Sequence, residues 1–153
     1  MDSLARLLAG EAPVRRARAT TRRIRLARFP GITTVEQFRW DWPTRMNHLQ
    51  VHHHFRLEWV SDTANRLVLG GVGLGTTPLA TALGSAACLK GSSVLFASAI
   101  AVSNTLAAAR SAGRLKQARK QYTKPALRIL DARGALPIAK TGADLRFPVI
   151  SLR

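Results

Sequence analysis

Between Leu67 and Leu83 the chain reads LVLGGVGLGTTPLATAL, and no other stretch limits its fold so strongly. Leu67, Val68 and Leu69 form an apolar run of strand character, and four glycines follow at Gly70, Gly71, Gly73 and Gly75. Beyond them Leu79, Ala82, Leu83 and Ala86 recur at helical spacing, which predicts a helix with one apolar face. A strand that passes through glycines into a helix is the setting of a loop that wraps a phosphate. The full template is G-x-x-x-x-G-K-[ST]; Gly70, Gly75 and Thr77 match it, and Thr76 stands where the lysine belongs.

Each residue type in that template has a physical reason. Glycines let successive backbone N–H groups turn inward, because no Cβ blocks the dihedrals required or the approach of the anion. The helix that follows begins with unpaired N–H groups and the positive end of its dipole. A lysine would reach the β- and γ-phosphates, and a Ser or Thr hydroxyl would hold magnesium. Thr77 can do the second task, whereas Thr76 cannot do the first. Gly70, Gly71, Val72, Gly73, Leu74, Gly75, Thr76 and Thr77 are therefore the candidate nucleotide-binding residues. The same residues also fit a glycine-rich strand-to-helix turn that holds no ligand.

A formal charge of +16 points to a polyanionic partner, nucleic acid or an anionic membrane surface. Much of it lies early, at Arg15, Arg16, Arg18, Arg22, Arg23, Arg25 and Arg28. Such a run is either a solvated face or a set of phosphate-backbone contacts without sequence readout. Phe29-Pro30-Gly31 ends it. The single cysteine, Cys88, cannot form an internal disulfide, so a reduced cytoplasmic setting is the expectation. No signal-peptide core is expected at the N-terminus, since arginines interrupt any apolar run. The uncharged stretches Leu67–Leu89 and Gly91–Ala109 are long enough to cross a bilayer. Their glycines, Pro78, serines and Asn104 argue against that membrane hairpin.

Elsewhere, Phe38, Trp40 and Trp42 alternate at a spacing that suits docking anchors more than base-stacking platforms, and Thr44 offers an N-cap for a helix through Met46, Leu49 and Phe55. His52, His53 and His54 are adjacent, so on a helix they diverge and do not readily share a metal ion. Lys90-Gly91 is a C-cap signal. Ser93 to Ala97 reads as a strand buried on both faces, as parallel strands are. A helix from about Ile100 to Ala112, closed by Gly113, precedes a basic helical patch at Arg114, Lys116, Arg119 and Lys120 that ends near Pro125. Leu127-Arg128-Ile129-Leu130-Asp131 is then an apolar strand with an acidic end. The alternation gives an α/β fold with a parallel sheet. In a phosphate-loop fold, a carboxylate at the tip of a neighbouring strand completes a magnesium shell with the loop hydroxyl. Thr77 and Asp131 are the candidate metal residues.

Taken together, these segments resemble the IstB-type helper ATPases of bacterial insertion sequences, relatives of the DnaC helicase loaders. The resemblance is carried by RRIRLARFPGITTVEQFRWDWP, LGGVGLGTTPLATALGSAACLKG, SVLFASAIAVSNTLAAARSAGRLKQ, KQYTKPALRILDARGALPI and KTGADLRFPVIS, nearly everything from Arg22 to Ser151. It implies a partial P-loop NTPase core of the AAA+ and RecA-like kind, a parallel sheet with flanking helices, preceded by a basic helical N-terminal arm. The expected division is an arm over 1–31 and a truncated ATP-binding domain over 32–153. The implied ligands are ATP and magnesium. The implied partners are DNA, the transposase of the same element and further copies of the chain.

The departures from the family pattern fall on the chemistry. Thr76 replaces the loop lysine, and Ala132 stands where such ATPases carry the glutamate that polarises the attacking water. Pro78 removes a backbone donor near the α-phosphate, Arg128 lies inside a strand expected to be buried, and Pro148 falls within an expected helix. Family members continue past Ile150-Ser151-Leu152-Arg153 into a sensor strand, an arginine finger and a lid, so the expectation is of a shortened, degenerate relative. No catalytic residue is assigned. Loss of a general base alone costs ~10²–10⁴ in rate. A sheet lacking the inserted central strand is expected to be a three-stranded parallel remnant with edges open to self-association. The competing reading is a basic module that contacts DNA without nucleotide.

Overall fold

The computed structural model describes residues 2–38, 47–61 and 75–132, with side chains described from Pro13 onward. Eight elements follow in order: α1 Asp2–Ala27, α2 His48–Phe55, α3 Glu58–Ser61, α4 Thr76–Leu89, β1 Val94–Ser98, α5 Ala99–Ser111, α6 Leu115–Thr123 and β2 Leu127–Asp131. β1 and β2 form a two-stranded parallel sheet in the register Val94 with Leu127 through Ser98 with Asp131. The expected α/β class is therefore present; the strand expected at 93–97 is found one residue later, at 94–98, and the one expected at 127–131 has those bounds. The expected strand at Leu67–Leu69, and with it a third strand of the sheet, lies outside the described residues.

Strand parity assigns the two faces, because alternate side chains point to opposite sides. Val94 and Leu127 are buried together with Leu79, Leu83, Ala87 and Cys88 of α4, and Ile129 packs against the same cluster. On the opposite face Ala97 and Leu130 pack against Val102 and Leu106 of α5 and Leu115, Ala118 and Tyr122 of α6. The sheet is thus covered on both sides. The cover on the second side is incomplete, since Leu95 and Ala97 are only half-buried while Val94 and Phe96 are buried. The expectation of a strand buried on both faces is corrected to that extent. Arg128 sits on this looser face, where its Nη1 donates to the Tyr122 carbonyl at 3.4 Å, which explains a charge within the strand.

α4 is the central helix. Leu79, Ala82 and Leu83 are buried as the spacing predicts, but Thr81, Ser85, Ala87 and Cys88 are buried too, so the helix is enclosed nearly all round. Gly84 makes this possible. A Cβ there would lie 2.6 Å from the Phe29 ring and 2.8 Å from Ile129 Cδ1. The helix ends in a Schellman motif, with the Ser92 amide donating to the Ala87 carbonyl at 2.9 Å and the Gly91 amide to the Cys88 carbonyl at 3.1 Å. Gly91 takes φ 98° to close it, as the Lys90-Gly91 signal implied.

The last turns of α1 belong to the core. Ala27 is fully buried, and Ile24 and Phe29 pack against the α4 cluster. Arg28 adopts φ 60°, and this left-handed residue turns the chain so that Phe29 meets Phe96 edge-on at 6.3 Å. Phe38 is buried in the same cluster. Trp40, Trp42, Thr44 and Met46 lie outside the described residues, and the N-cap of α2 is Asn47, whose side chain accepts from the Gln50 amide at 3.1 Å. That corrects the expected start at Thr44: an Asn side chain three residues later satisfies the orphan donor instead. The stretch 91–109, weighed as a membrane segment, is divided between β1 and α5, and no described helix is long and apolar enough to cross a bilayer.

Candidate functional site

The site is built where α4 begins. Gly75 is its N-cap at φ 77° and ψ 17°, a left-handed conformation that favours glycine. The first helical bond runs from the Leu79 amide to the Gly75 carbonyl at 3.0 Å. The amides of Gly75, Thr76 and Thr77 therefore have no acceptor within the helix, the condition under which a helix start can take an anion. Pro78 lies in the same turn, where no intrahelical bond needs its N–H. The proline therefore costs the helix no hydrogen bond.

The second half of the site arrives by parity. Leu127, Ile129 and Asp131 share a strand face, the first two touch the α4 cluster, and so Asp131 is directed to α4 as well. Across 54 residues of sequence, Thr77 Oγ1 donates to Asp131 Oδ2 at 3.3 Å, half-buried. That is long for an O–H···O bond, whose usual distance is about 2.7–2.8 Å. A hydroxyl and a carboxylate at this separation are hard oxygen donors suited to magnesium. Thr77 and Asp131 would hold such an ion, and it would neutralise phosphate charge between them. Thr76 beside the hydroxyl brings no charge, and Ala132, exposed beyond the carboxylate, brings no base.

Of the eight candidate nucleotide-binding residues, Gly75, Thr76 and Thr77 are placed at this helix start; Gly70, Gly71, Val72, Gly73 and Leu74 lie outside the described residues. Arg15, Arg16, Arg18, Arg22, Arg25 and Arg28 are exposed. Arg18, Arg22 and Arg25 fall at helical spacing and line, with Thr21, a groove of about 280 Å³. Arg23 differs from its neighbours. It is half-buried, and its guanidinium reaches the end of α4, 4.0 Å from where a Gly91 Cβ would stand. Burial pushes the Cys88 thiol above its ordinary pKa, and Arg23 opposes that shift. A cation at the C-terminus of α4 also complements the helix dipole. The spacing of arginines alone could not have separated this residue from the exposed ones.

His53 and His54 stack obliquely at 6.4 Å, and the His54 carbonyl accepts from Trp59 Nε1 at 2.9 Å. Among the described residues no cluster of three or more His, Cys, Asp or Glu side chains is placed to hold a metal ion. Sequence reasoning passed over Gly84, whose missing side chain sets how closely α4 approaches the strand that carries Asp131. Its only signal is a glycine inside a helical pattern.

A helix that starts on a left-handed glycine, with its hydroxyl bonded to a strand-end carboxylate beside a parallel sheet, is the arrangement a phosphate-binding α/β domain requires. The whole chain, residues 1–153, matches the family described as IstB-like ATP binding protein, and the chain belongs to that family. It is 31% identical over 153 residues to a Bacillus thuringiensis protein described as an ATP-binding protein of insertion sequence IS232, and 29% identical over 152 residues to a counterpart of insertion sequence IS5376 from Geobacillus stearothermophilus. The match covers 100% and 99% of the chain, but 61% of each relative. A Pseudomonas aeruginosa protein of insertion sequence IS21 is 32% identical over 139 residues, 91% of the chain and 52% of that protein. The chain thus spans about three fifths of the length of the curated relatives it matches first.

Proposed function

We propose that the chain is an ATP-binding module of the insertion-sequence helper class, with magnesium as its cation, in which nucleotide affinity is weakened and hydrolysis is lost. The observation that carries this reading is the Thr77–Asp131 hydrogen bond between Thr76 on one side and Ala132 on the other. The metal-holding pair is intact, while the phosphate-neutralising lysine and the water-polarising carboxylate are replaced. A charged hydrogen bond contributes about 1.5–3 kcal/mol. Thr76→Lys is therefore expected to tighten binding of a fluorescent ATP analogue with magnesium by about 10-fold or more. A low-micromolar dissociation constant for the unaltered chain, or no gain from Thr76→Lys, overturns the reading.

A second element supports DNA as partner: the exposed face formed by Arg15, Arg16, Arg18, Arg22 and Arg25 on α1. Those arginines persist where the ATP chemistry does not, so DNA contact without nucleotide is the competing mode. Delivery of DNA to the transposase of the same element, and assembly with further copies, follow from the helper class. Duplex binding measured with and without ATP separates the modes, since a nucleotide-independent affinity favours the second.

A further inference from the structure

The chain has 4 histidines, and all of them lie on α2, at His48, His52, His53 and His54. The last three are adjacent and diverge around the helix. His48 stands in a different relation to them. It precedes His52 by one helical turn, so these two side chains share a stripe, with Cβ atoms about 5–6 Å apart. Two imidazoles at i and i+4 on one helix face are the spacing at which a helix takes zinc through both rings. Both residues are exposed, so an ion can reach them from solvent. Val51, between them in sequence, is buried in the core and Phe55 packs against the same cluster, so the histidine stripe flanks the docked face of α2.

The backbone beneath the pair is fastened at both ends. At the start, the Asn47 side chain accepts from the Gln50 amide at 3.1 Å and the Asn47 carbonyl from the Val51 amide at 3.1 Å. At the far end, Lys90 Nζ donates to the Arg56 carbonyl at 2.6 Å and Trp59 Nε1 to the His54 carbonyl at 2.9 Å. A helix of 8 residues is marginal in isolation, so these bonds and the burial of Val51 are what hold the spacing of His48 and His52. A pair set in place beforehand gives up only side-chain freedom when it takes an ion.

We infer that His48 and His52 form a two-point site for a late first-row divalent ion: zinc, nickel or copper. Among the described residues no third His, Cys, Asp or Glu joins them in a metal-holding group, so water fills the remaining coordination positions. A structural zinc site closes with four protein ligands. With two, the ion exchanges freely and clamps one turn of α2. The positive end of the α2 dipole lies beside His48 and the chain carries +16, and both oppose a cation held by charge alone. Retention therefore rests on dative bonds from neutral imidazole nitrogens, and affinity follows their order, copper above nickel and zinc, with manganese weakest. Thr77 and Asp131 offer oxygen donors, which prefer magnesium, so the two sites select different ions.

The test is calorimetric titration of the full chain with Zn²⁺, Ni²⁺ and Cu²⁺ in turn, in a mildly alkaline magnesium buffer free of chelators, so that the imidazoles are neutral and the oxygen donors are supplied. One ion per chain is expected, with copper tightest. His48→Gln and His52→Gln should each weaken binding about tenfold or more, and His53→Gln should leave it unchanged. All three positions are exposed and glutamine favours helix, so the circular dichroism spectrum of the parent should persist. Adding Leu49→His to His48→Gln sets an imidazole four residues before His53 at an exposed position and should restore the affinity. Parent-like binding in either of the first two variants overturns the inference. So does an equal loss in His53→Gln, or failure of the added histidine to restore binding.

Discussion

At the scale of the residue, Gly84 and Cys88 show how one turn of α4 ties the site to the core. Adding a methyl at Gly84 gains about 1 kcal/mol of helix propensity but forces a contact at 2.6 Å with a ring already held edge-on by Phe96. Overpacking costs about 1–3 kcal/mol, so Gly84→Ala should destabilise modestly and Gly84→Val clearly. Urea denaturation measures it, and Phe29→Leu should recover part of the loss as a coupling energy. Cys88 supplies a pH test. Its thiol pKa is raised from 9.0 by burial, so near and above that pH the unfolded chain releases a proton that the folded chain keeps. Stability from this group is full below the unfolded value and falls as pH rises towards the folded one. Cys88→Ala should flatten that decline in denaturant midpoints measured from pH 8 to 10.

At the scale of the element, α1 is one helix with two duties. Pro13 lies inside it and cannot donate to the carbonyl four residues earlier, which weakens the segment before it. Its far end is anchored by Ile24, Ala27 and Phe29. Removing residues 2–17 should therefore leave the thermal midpoint nearly unchanged while reducing DNA affinity through Arg15 and Arg16. Removing residues 2–29 strips a packed phenylalanine, worth about 3–5 kcal/mol, together with the buried Ala27, and should abolish the cooperative transition. An equal effect of the two deletions would contradict this division.

At the scale of the molecule, much of the positive charge lies on two helices, α1 and α6, packed on opposite faces of a sheet whose own side chains are largely apolar. Association with duplex DNA should be steered and strongly screened. With about six phosphate contacts, affinity should drop about 10³-fold between 50 and 200 mM salt, independent of base sequence. A salt-insensitive or sequence-dependent affinity would show that direct base readout, not the phosphate term, dominates.

The pattern of the chain already contained its two strands, the first to within one residue, the closure of α4 at Lys90-Gly91 and the family, because these rest on local rules: apolar runs of strand length, glycine at a left-handed cap, and extended motif spacing. It also placed Thr76 and Ala132 at positions where the family resemblance implies a lysine and a glutamate. Tertiary structure decided the rest. Only strand register placed Asp131 on the face of α4 and within 3.3 Å of Thr77, since no local rule spans 54 residues. Only packing distinguished Arg23, turned to the end of α4, from the exposed arginines beside it, and set α1 and α6 on opposite faces of one sheet. The cap of α2 is Asn47 and not Thr44, because local propensity offers both starts and the Asn47 side chain is the one that accepts an orphan amide, that of Gln50.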